Sequence, residues 1–163
     1  MQAVDDWAQL NFGSCDLGDK RRTRRLVNTA TNMASNPSAS LPNQLELWSD
    51  LKAAYRLFDC SQVTFEAIAK PHWELTKRSA KGRCLVLGDT TEFNFGRNRE
   101  IKDIGPTGNG SGQGFLLHNA LLCQADSEEI HGVVGQTIHY RKKKSKKQKK
   151  ENSAQMLKRK DRE

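Results

Sequence analysis

Asp89 is the residue of this sequence whose type and position most clearly indicate chemistry. It follows the apolar run 84–87, and apolar or β-branched side chains then alternate from Thr91 to Phe95, a pattern that predicts a strand continuing past Asp89. Asp is uncommon inside strands because it loses hydration there without gaining packing. A carboxylate fixed on a strand can bind a divalent cation such as Mg²⁺. The alternative is that the strand ends before Asp89, which then opens a turn.

The segments that follow predict the elements that would position Asp89. The glycine-rich residues 105–114 lead into an apolar run, 115–123, and a polar turn at 125–129 precedes a third run, 130–140. Strands joined by short links form an antiparallel meander. We therefore expect a meander whose first strand carries Asp89, which is the way an RNase H-like nuclease or transposase core begins.

The N-terminal half contains a basic helix. From residue 19 to residue 35 the apolar positions recur at helical spacing, and Asp16 or Asp19 can cap the helix start. Positive charge near a helix N-terminus opposes the helix dipole, so helix stability alone does not favour this composition. A phosphate or base partner would explain it, whereas the alternative is a basic face exposed to solvent. The basic residues of the first two turns are Lys20, Arg21, Arg22, Arg24 and Arg25.

Two further helices complete a predicted helical bundle over residues 1–80. A helix at about residues 48–58 is expected to leave Lys52 and Arg56 free. Thr64 is predicted to cap the next helix. Pro71 either kinks this helix or begins another one. Residues 36–42 are predicted to form a loop. The side chains expected in the core of this bundle include Trp7, Trp48, Leu51, Ala54, Tyr55 and Phe58.

The positive charge of the chain is concentrated at its C-terminal end. The 163 residues contain 27 Lys and Arg and 19 Asp and Glu, for a net charge of +8. Residues 141–163 hold 12 of the basic and 3 of the acidic residues, so residues 1–140 hold 15 and 16. Such a run is expected to be a solvated tail, disordered or partly helical. It can still bind phosphate backbones without reading sequence.

Composition also bounds the class of protein. No apolar run approaches the ~20 residues of a membrane span, and no signal peptide opens the sequence, so we expect no membrane partner and a cytoplasmic location. The four cysteines, at positions 15, 60, 84 and 123, are scattered without a CxxC pair. This spacing excludes a zinc ribbon and predicts small buried thiols.

An ordered set of motifs resembles bacterial insertion-sequence DDE transposases, whose best-known relative is the transposase of the kanamycin-resistance composite transposon. The motifs lie in that family's order at residues 6–8, 17–27, 52–58, 89–91 and 117–122, with a loop that ends in glycine before Phe115. The resemblance covers roughly the first 140 residues. It implies an α+β chain: a helical transposon-end DNA-binding domain at 1–80, the start of an RNase H-like catalytic domain at 81–140, and the basic tail.

The resemblance also implies roles for particular residues. Arg25 and Arg56 fall where family members contact transposon-end DNA, and Arg21 and Arg22 also match family positions. Asp89 matches the first of three carboxylates that hold two Mg²⁺ ions for DNA cutting and joining. The second Asp and the Glu are expected beyond residue 163. We therefore expect the N-terminal part of a transposase, from a truncated or interrupted gene, inactive alone, and leave open whether the chain is itself an enzyme.

Three functions follow as hypotheses. The first is a transposase part that binds double-stranded DNA at transposon ends, in the bacterial nucleoid and together with another transposase chain. The second is a non-catalytic DNA-binding protein that inhibits an intact transposase. The third, RNA binding through the lysine-rich tail, lacks the aromatic stripe or GxxG clamp that RNA-binding domains use.

Overall fold

The computed structural model describes residues 2–97, 101–108, 110, 112–127 and 129–142. These residues form an α+β structure in which a helical segment precedes an antiparallel sheet. The helices are α1 (Gln2–Phe12), α2 (Lys20–Ser35), α3 (Leu41–Gln44), α4 (Trp48–Phe58) and α5 (Phe65–Ser79). The strands are β1 (Cys84–Asn94), β2 (Gly105–Thr107), β3 (Gly112–Gln124) and β4 (Ile130–His139).

The basic helix α2 begins where the sequence predicts it. Of the two candidate caps, Asp19 takes the role, since its carboxylate accepts a hydrogen bond from the backbone N–H of Arg21 at 2.8 Å. Asp16 instead accepts from the N–H of Gly18 at 3.1 Å and closes the preceding turn. Gly18 adopts a positive φ of 75°, which only glycine adopts without strain.

Two clusters of buried side chains hold the helices together. The first joins the loop before α2 to α2 and α4 through Cys15, Leu17, Leu26 and Leu57. The second packs α4 against α3 and its C-terminal cap through Leu45, Leu51 and Ala54, with the partly buried Leu41. The buried residues of α4 are therefore those at positions 51, 54 and 57.

The core predicted for α4 is therefore wrong in part. The helix has the predicted bounds, but Tyr55 is 51% exposed, Phe58 is 45% exposed and Trp48 is 73% exposed. Leu57 faces the core in their place because it lies three residues after Ala54 on the buried stripe. Trp7 is also 46% exposed, and its ring meets Phe12 edge to face rather than entering the core.

The other helices match the sequence in part. Thr64 caps α5, accepting a hydrogen bond from the N–H of Ala67 at 3.1 Å, and α5 runs as one helix through Pro71. Helix α3 begins inside the segment predicted as a loop, with Pro42 in its first turn, where a missing N–H removes no helical hydrogen bond. The sequence pattern predicted no bounds for helix α1, which contains only the short motif at residues 6–8.

The predicted antiparallel meander is confirmed. Strand β3 is the central strand, since β1 and β2 flank it in the sheet and β4 also pairs with it. One end of the β1–β3 pair is marked by the N–H of Phe95 donating to the carbonyl of Gln113 at 2.8 Å. The short strand β2, which the sequence pattern did not predict, folds back on the start of β3 and pairs Gly105 with Gly114.

The chain divides into two compact units that cut across the long strands. The first unit holds Met1–Leu87 and Ala120–Gly135, and the second holds Gly88–Asn119 and Gln136–Glu163. The functional domains expected at residues 1–80 and 81–140 are a different division and stay a prediction. The tail expected at 141–163 lies outside the described residues, except for Arg141 and Lys142.

Candidate nucleic-acid interface and the Asp89 strand

Four of the predicted DNA-binding arginines line one groove. Arg21 and Arg25 on α2 and Arg56 on α4 line an open concavity of about 290 Å³, together with the half-buried Arg22. Its floor and walls are otherwise Ala53, Leu57 and Cys60. Because these guanidinium groups lie on facing helices, α2 and α4 form a positively charged groove, which we call the α2–α4 groove.

Lys20 and Arg24 lie on another side of α2. They line a concavity of about 620 Å³ with Gln9 of α1 and the loop that precedes α2. The turn of the helix explains the division, since residues 20 and 24 project about 100° away from residues 21 and 25. Lys52 is exposed on α4 and lines neither concavity. The seven predicted basic residues therefore do not form one surface.

Arg22 has internal partners. Its guanidinium donates one hydrogen bond to the backbone carbonyl of Leu17 at 2.8 Å and another to the side-chain oxygen of Gln62. Gln62 lies so close to Gly18 that an added Cβ there would sit 2.8 Å from its Oε1 atom. Both bonds come from Nη1, through which Arg22 ties the loop before α2 to the loop before α5.

Arg25 has an acidic neighbour. The nearest oxygen of Asp50 on α4 lies 4.0 Å from an Arg25 guanidinium nitrogen, and both side chains are about half exposed. An exposed pair at this distance contributes little to stability. At this distance the two side chains form no hydrogen bond, so the donors of Arg25 are not occupied by Asp50.

Sequence reasoning missed two asparagines that continue this surface. Asn28 and Asn32 on α2 line a small cavity of about 60 Å³ beside Arg25 and Asp50, closed by Thr29 and Leu45. The signal was present in the sequence: positions 21, 25, 28 and 32 follow each other at intervals of four, three and four residues, so they share one helix face.

Asp89 lies within β1, as predicted, and the strand continues to Asn94. Its side chain is exposed, and within the described residues it makes no hydrogen bond or ion pair. Strand alternation turns Thr90 and Glu92 to the opposite face. There the hydroxyl of Thr90 lies 2.8 Å from Nδ1 of His118.

Two other acidic groups of the sheet region have separate partners. Glu92 accepts a hydrogen bond from the N–H of Gly108 at 2.9 Å and lies 3.9 Å from Arg141. Asp126 pairs with Arg83 at 2.9 Å. In the part of the chain that the structure describes, no group of three His, Cys, Asp or Glu residues could hold a metal ion. The described residues therefore do not fit a complete Mg²⁺ site.

Two titratable groups with shifted pKa values, the buried Cys15 and the half-buried His72, belong to the helical scaffold. Burial raises the pKa of the Cys15 thiol to about 11, and its Sγ atom lies 3.5 Å from the carbonyl of Ile68. Burial lowers the pKa of His72, whose Nδ1 atom lies 2.6 Å from Oδ1 of Asn11. Since the Asn11 amide donates to the carbonyl of Trp7, its Oδ1 accepts and Nδ1 of His72 carries the proton. Neither group lines the α2–α4 groove.

Residues 4–63 match the family model described as transposase DNA-binding. The match contains α2, α3 and α4 and therefore the whole α2–α4 groove. It supports the identification of this region as a transposase N-terminal region with DNA as its partner. Among the described residues, no helix is both long enough and apolar enough to span a membrane.

Proposed function

We propose that this chain is the transposon-end DNA-binding part of an insertion-sequence DDE transposase, acting on double-stranded DNA in the bacterial nucleoid. The observation that carries the proposal is the α2–α4 groove, in which Arg21, Arg25 and Arg56 converge within the matched residues 4–63. Guanidinium groups bind phosphates and guanine edges in a bidentate manner. Such a groove can both hold a DNA backbone and read part of its sequence.

The catalytic role proposed for the full-length enzyme rests on Asp89. In this proposal β1 opens an RNase H-like core, and Asp89 is one of three carboxylates that together hold two Mg²⁺ ions. Bound Mg²⁺ would activate a water or a 3′-hydroxyl and stabilise the leaving oxygen. An exposed carboxylate on a regular strand suits this role because the strand fixes its position while leaving it accessible to DNA.

A second candidate function uses the same groove without catalysis. A chain that binds transposon ends but does not cut them would compete with an intact transposase, or pair with one, and so inhibit transposition. The α2–α4 groove supports both candidates equally. The two candidates predict different results when this chain is added to an active transposase. An inhibitor lowers the rate of strand cutting at the transposon ends, whereas a transposase part leaves that rate unchanged.

A salt titration tests DNA binding itself. Affinity of the purified chain for duplex DNA should fall by about 10³–10⁵ between 50 and 200 mM salt if about six to ten phosphates are contacted. Fluorescence anisotropy with a labelled duplex measures it. Tight binding that does not change with salt would contradict a phosphate-dominated interface.

A pair of variants separates sequence reading from general attraction. Arg25→Ala and Arg56→Ala should lower discrimination between a selected duplex and random DNA by about 1–3 kcal/mol if either makes a bidentate base contact. Deletion of residues 141–163 should weaken binding to all sequences equally, since a lysine run has no fixed geometry with which to read bases. If the tail deletion alone removed sequence preference, these roles would be reversed.

A further inference from the structure

One face of α2 carries a continuous polar stripe. Taking 100° per residue, Arg21, Arg25, Asn28 and Asn32 fall within an arc of about 60°, which the buried Thr29 borders on one side, while Leu26 and Val27 are buried on the far side of the helix. Their spacing along the helix axis totals about 16 Å, close to the length of five base pairs of duplex DNA. The stripe includes the α2 wall of the α2–α4 groove and continues past Arg25 along the same helix.

The two asparagines of this stripe are not explained by the stability of the helix. Asn is a poor residue for helix interiors because its side chain competes for backbone hydrogen bonds. Within the described residues, neither Asn28 nor Asn32 makes a side-chain hydrogen bond, and neither caps the helix. Asn28 is exposed and Asn32 half-buried at the edge of the small cavity beside Asp50. Both amides therefore have donors and acceptors available to a ligand.

The chemistry of the stripe matches base edges in the major groove. An arginine donates two hydrogen bonds to O6 and N7 of guanine, and an asparagine donates to N7 and accepts from N6 of adenine. A major groove about 12 Å wide admits one α-helix. Asp50 lies 4.0 Å from Arg25, beyond hydrogen-bond distance, so it leaves the guanidinium donors of Arg25 available to a base.

We propose that α2 is the base-reading helix of this protein, with Arg21 and Arg25 selecting guanine and Asn28 and Asn32 selecting adenine within about five base pairs. This inference rests on the proposed DNA-binding function and deepens it. It adds two specificity-determining residues to the interface. It also gives the recognised sequence an order, with guanine contacts toward the start of α2 and adenine contacts toward its end.

Selection from a randomised duplex pool tests this order. The unmodified chain should enrich sites containing guanine and adenine within about five base pairs. Asn28→Ala and Asn32→Ala should each lose the adenine preference at one position and weaken binding to the best site about 5- to 150-fold. Their affinity for random DNA should stay within about twofold, because phosphate contacts are unchanged. Asn43→Ala, an exposed asparagine of α3 off the stripe, is the matched control and should keep the full preference.

A base analogue makes the test independent of any effect on folding. Replacing the selected adenine with 7-deazaadenine removes its N7 acceptor and should therefore weaken binding of the unmodified chain. The variant that lacks the asparagine reading that position, Asn28→Ala or Asn32→Ala, should show no further loss of affinity. Asn28→Asp should shift preference toward cytosine, whose N4 amine donates to a carboxylate. Unchanged selection by both alanine variants, or insensitivity of the unmodified chain to 7-deazaadenine, overturns the inference.

The failure of the proposed function has a different signature. If the unmodified chain does not bind duplex DNA at 50 mM salt, the DNA-binding proposal fails and the base-reading proposal fails with it. If the chain binds duplexes in a salt-dependent way but enriches no sequence, DNA binding stands and only the assignment of α2 as a reading helix is overturned.

Discussion

Helix α2 and strand β1 both expose residues with proposed roles, but they do so in different surroundings. Helix α2 buries Leu26, Val27 and Thr29 and leaves its polar stripe outside. In strand β1 ten of the eleven residues are exposed, including Val86 at 61%. The arginines of α2 therefore stand on a packed support, whereas Asp89 stands on a strand whose apolar side chains are uncovered.

The difference bears on how each proposed site acquires its geometry. Side chains fixed by a packed core are positioned before a ligand arrives, which lowers the entropy lost on binding. The α2–α4 groove has this support within residues 4–63. A strand with an uncovered apolar surface has little packing to fix it. We therefore expect the DNA-binding region to be the more stable and the more protected from hydrogen exchange.

The largest expected contrast comes from matched truncations of the two elements. Leu26→Ala should lower the free energy of unfolding by about 2–5 kcal/mol, since it opens a cavity in the core beneath α2. Val86→Ala on β1 should change it by no more than about 0.5 kcal/mol, because the side chain is already exposed. Urea denaturation followed by circular dichroism measures both. Equal losses would mean that the β1 surface is covered in solution.

A second comparison lies within α2 itself. Arg22→Ala should lower stability by about 1–3 kcal/mol, because Leu17 and Gln62 lose the guanidinium that bridges them. Arg21→Ala should leave stability within about 0.5 kcal/mol and weaken DNA binding instead. Thermal melting and anisotropy titration on the same two variants separate these effects. A stable Arg22→Ala chain with impaired DNA binding would assign Arg22 to the interface.

Acidification should weaken the helical region through His72. Burial holds the pKa of His72 below its ordinary value of 6.5, so the folded state favours the neutral ring. The stability that the neutral His72 ring contributes is complete above pH 6.5. It is lost as the pH falls from 6.5 through the lower pKa that His72 has in the folded state. Stability should therefore decrease below about pH 6.5. His72→Asn, which keeps a donor toward Asn11, should flatten this dependence, and the exposed His139→Asn should leave it unchanged.

The smallest effect is expected at Asp89. Asp89→Ala should change stability by less than about 0.5 kcal/mol and duplex affinity by less than twofold, since the carboxylate is exposed and has no partner in the described residues. We also expect no nicking of a supercoiled plasmid by the 163-residue chain in Mg²⁺ or Mn²⁺, because one carboxylate cannot place two metal ions. Metal-dependent nicking that Asp89→Ala abolishes would contradict this prediction.

Features set by local physics were predicted from the sequence. The bounds of α2 and α4 follow from apolar spacing, and the caps Asp19 and Thr64 follow from side-chain oxygens placed before a helix. The meander follows from three apolar runs with short links. Strand β2 was missed because its three residues, two of which are Gly105 and Pro106, have low strand propensity, so only pairing with β3 makes them a strand.

The site was predicted less completely because much of it depends on contacts between distant residues. The bond from Arg22 to Gln62 spans 40 positions, so no local pattern distinguishes Arg22 from its neighbours. The separation of Lys20 and Arg24 from Arg21 and Arg25 was available from helical geometry. The solvent exposure of Trp48 was not, because it depends on which face of α4 meets α2 and α3.

The burial of Cys15 has a consequence for chemical labelling. With a pKa of about 11, only about one thiol in a thousand is ionised at pH 8, and the side chain is 4% exposed in the core beneath α2. An alkylating reagent can reach it only when the helices separate, so its modification rate measures that opening. Cys60 and Cys84, both partly exposed, provide the comparison in the same molecule. A slowing of Cys15 alkylation by added duplex DNA would therefore report occupancy of the helical region without any engineered label.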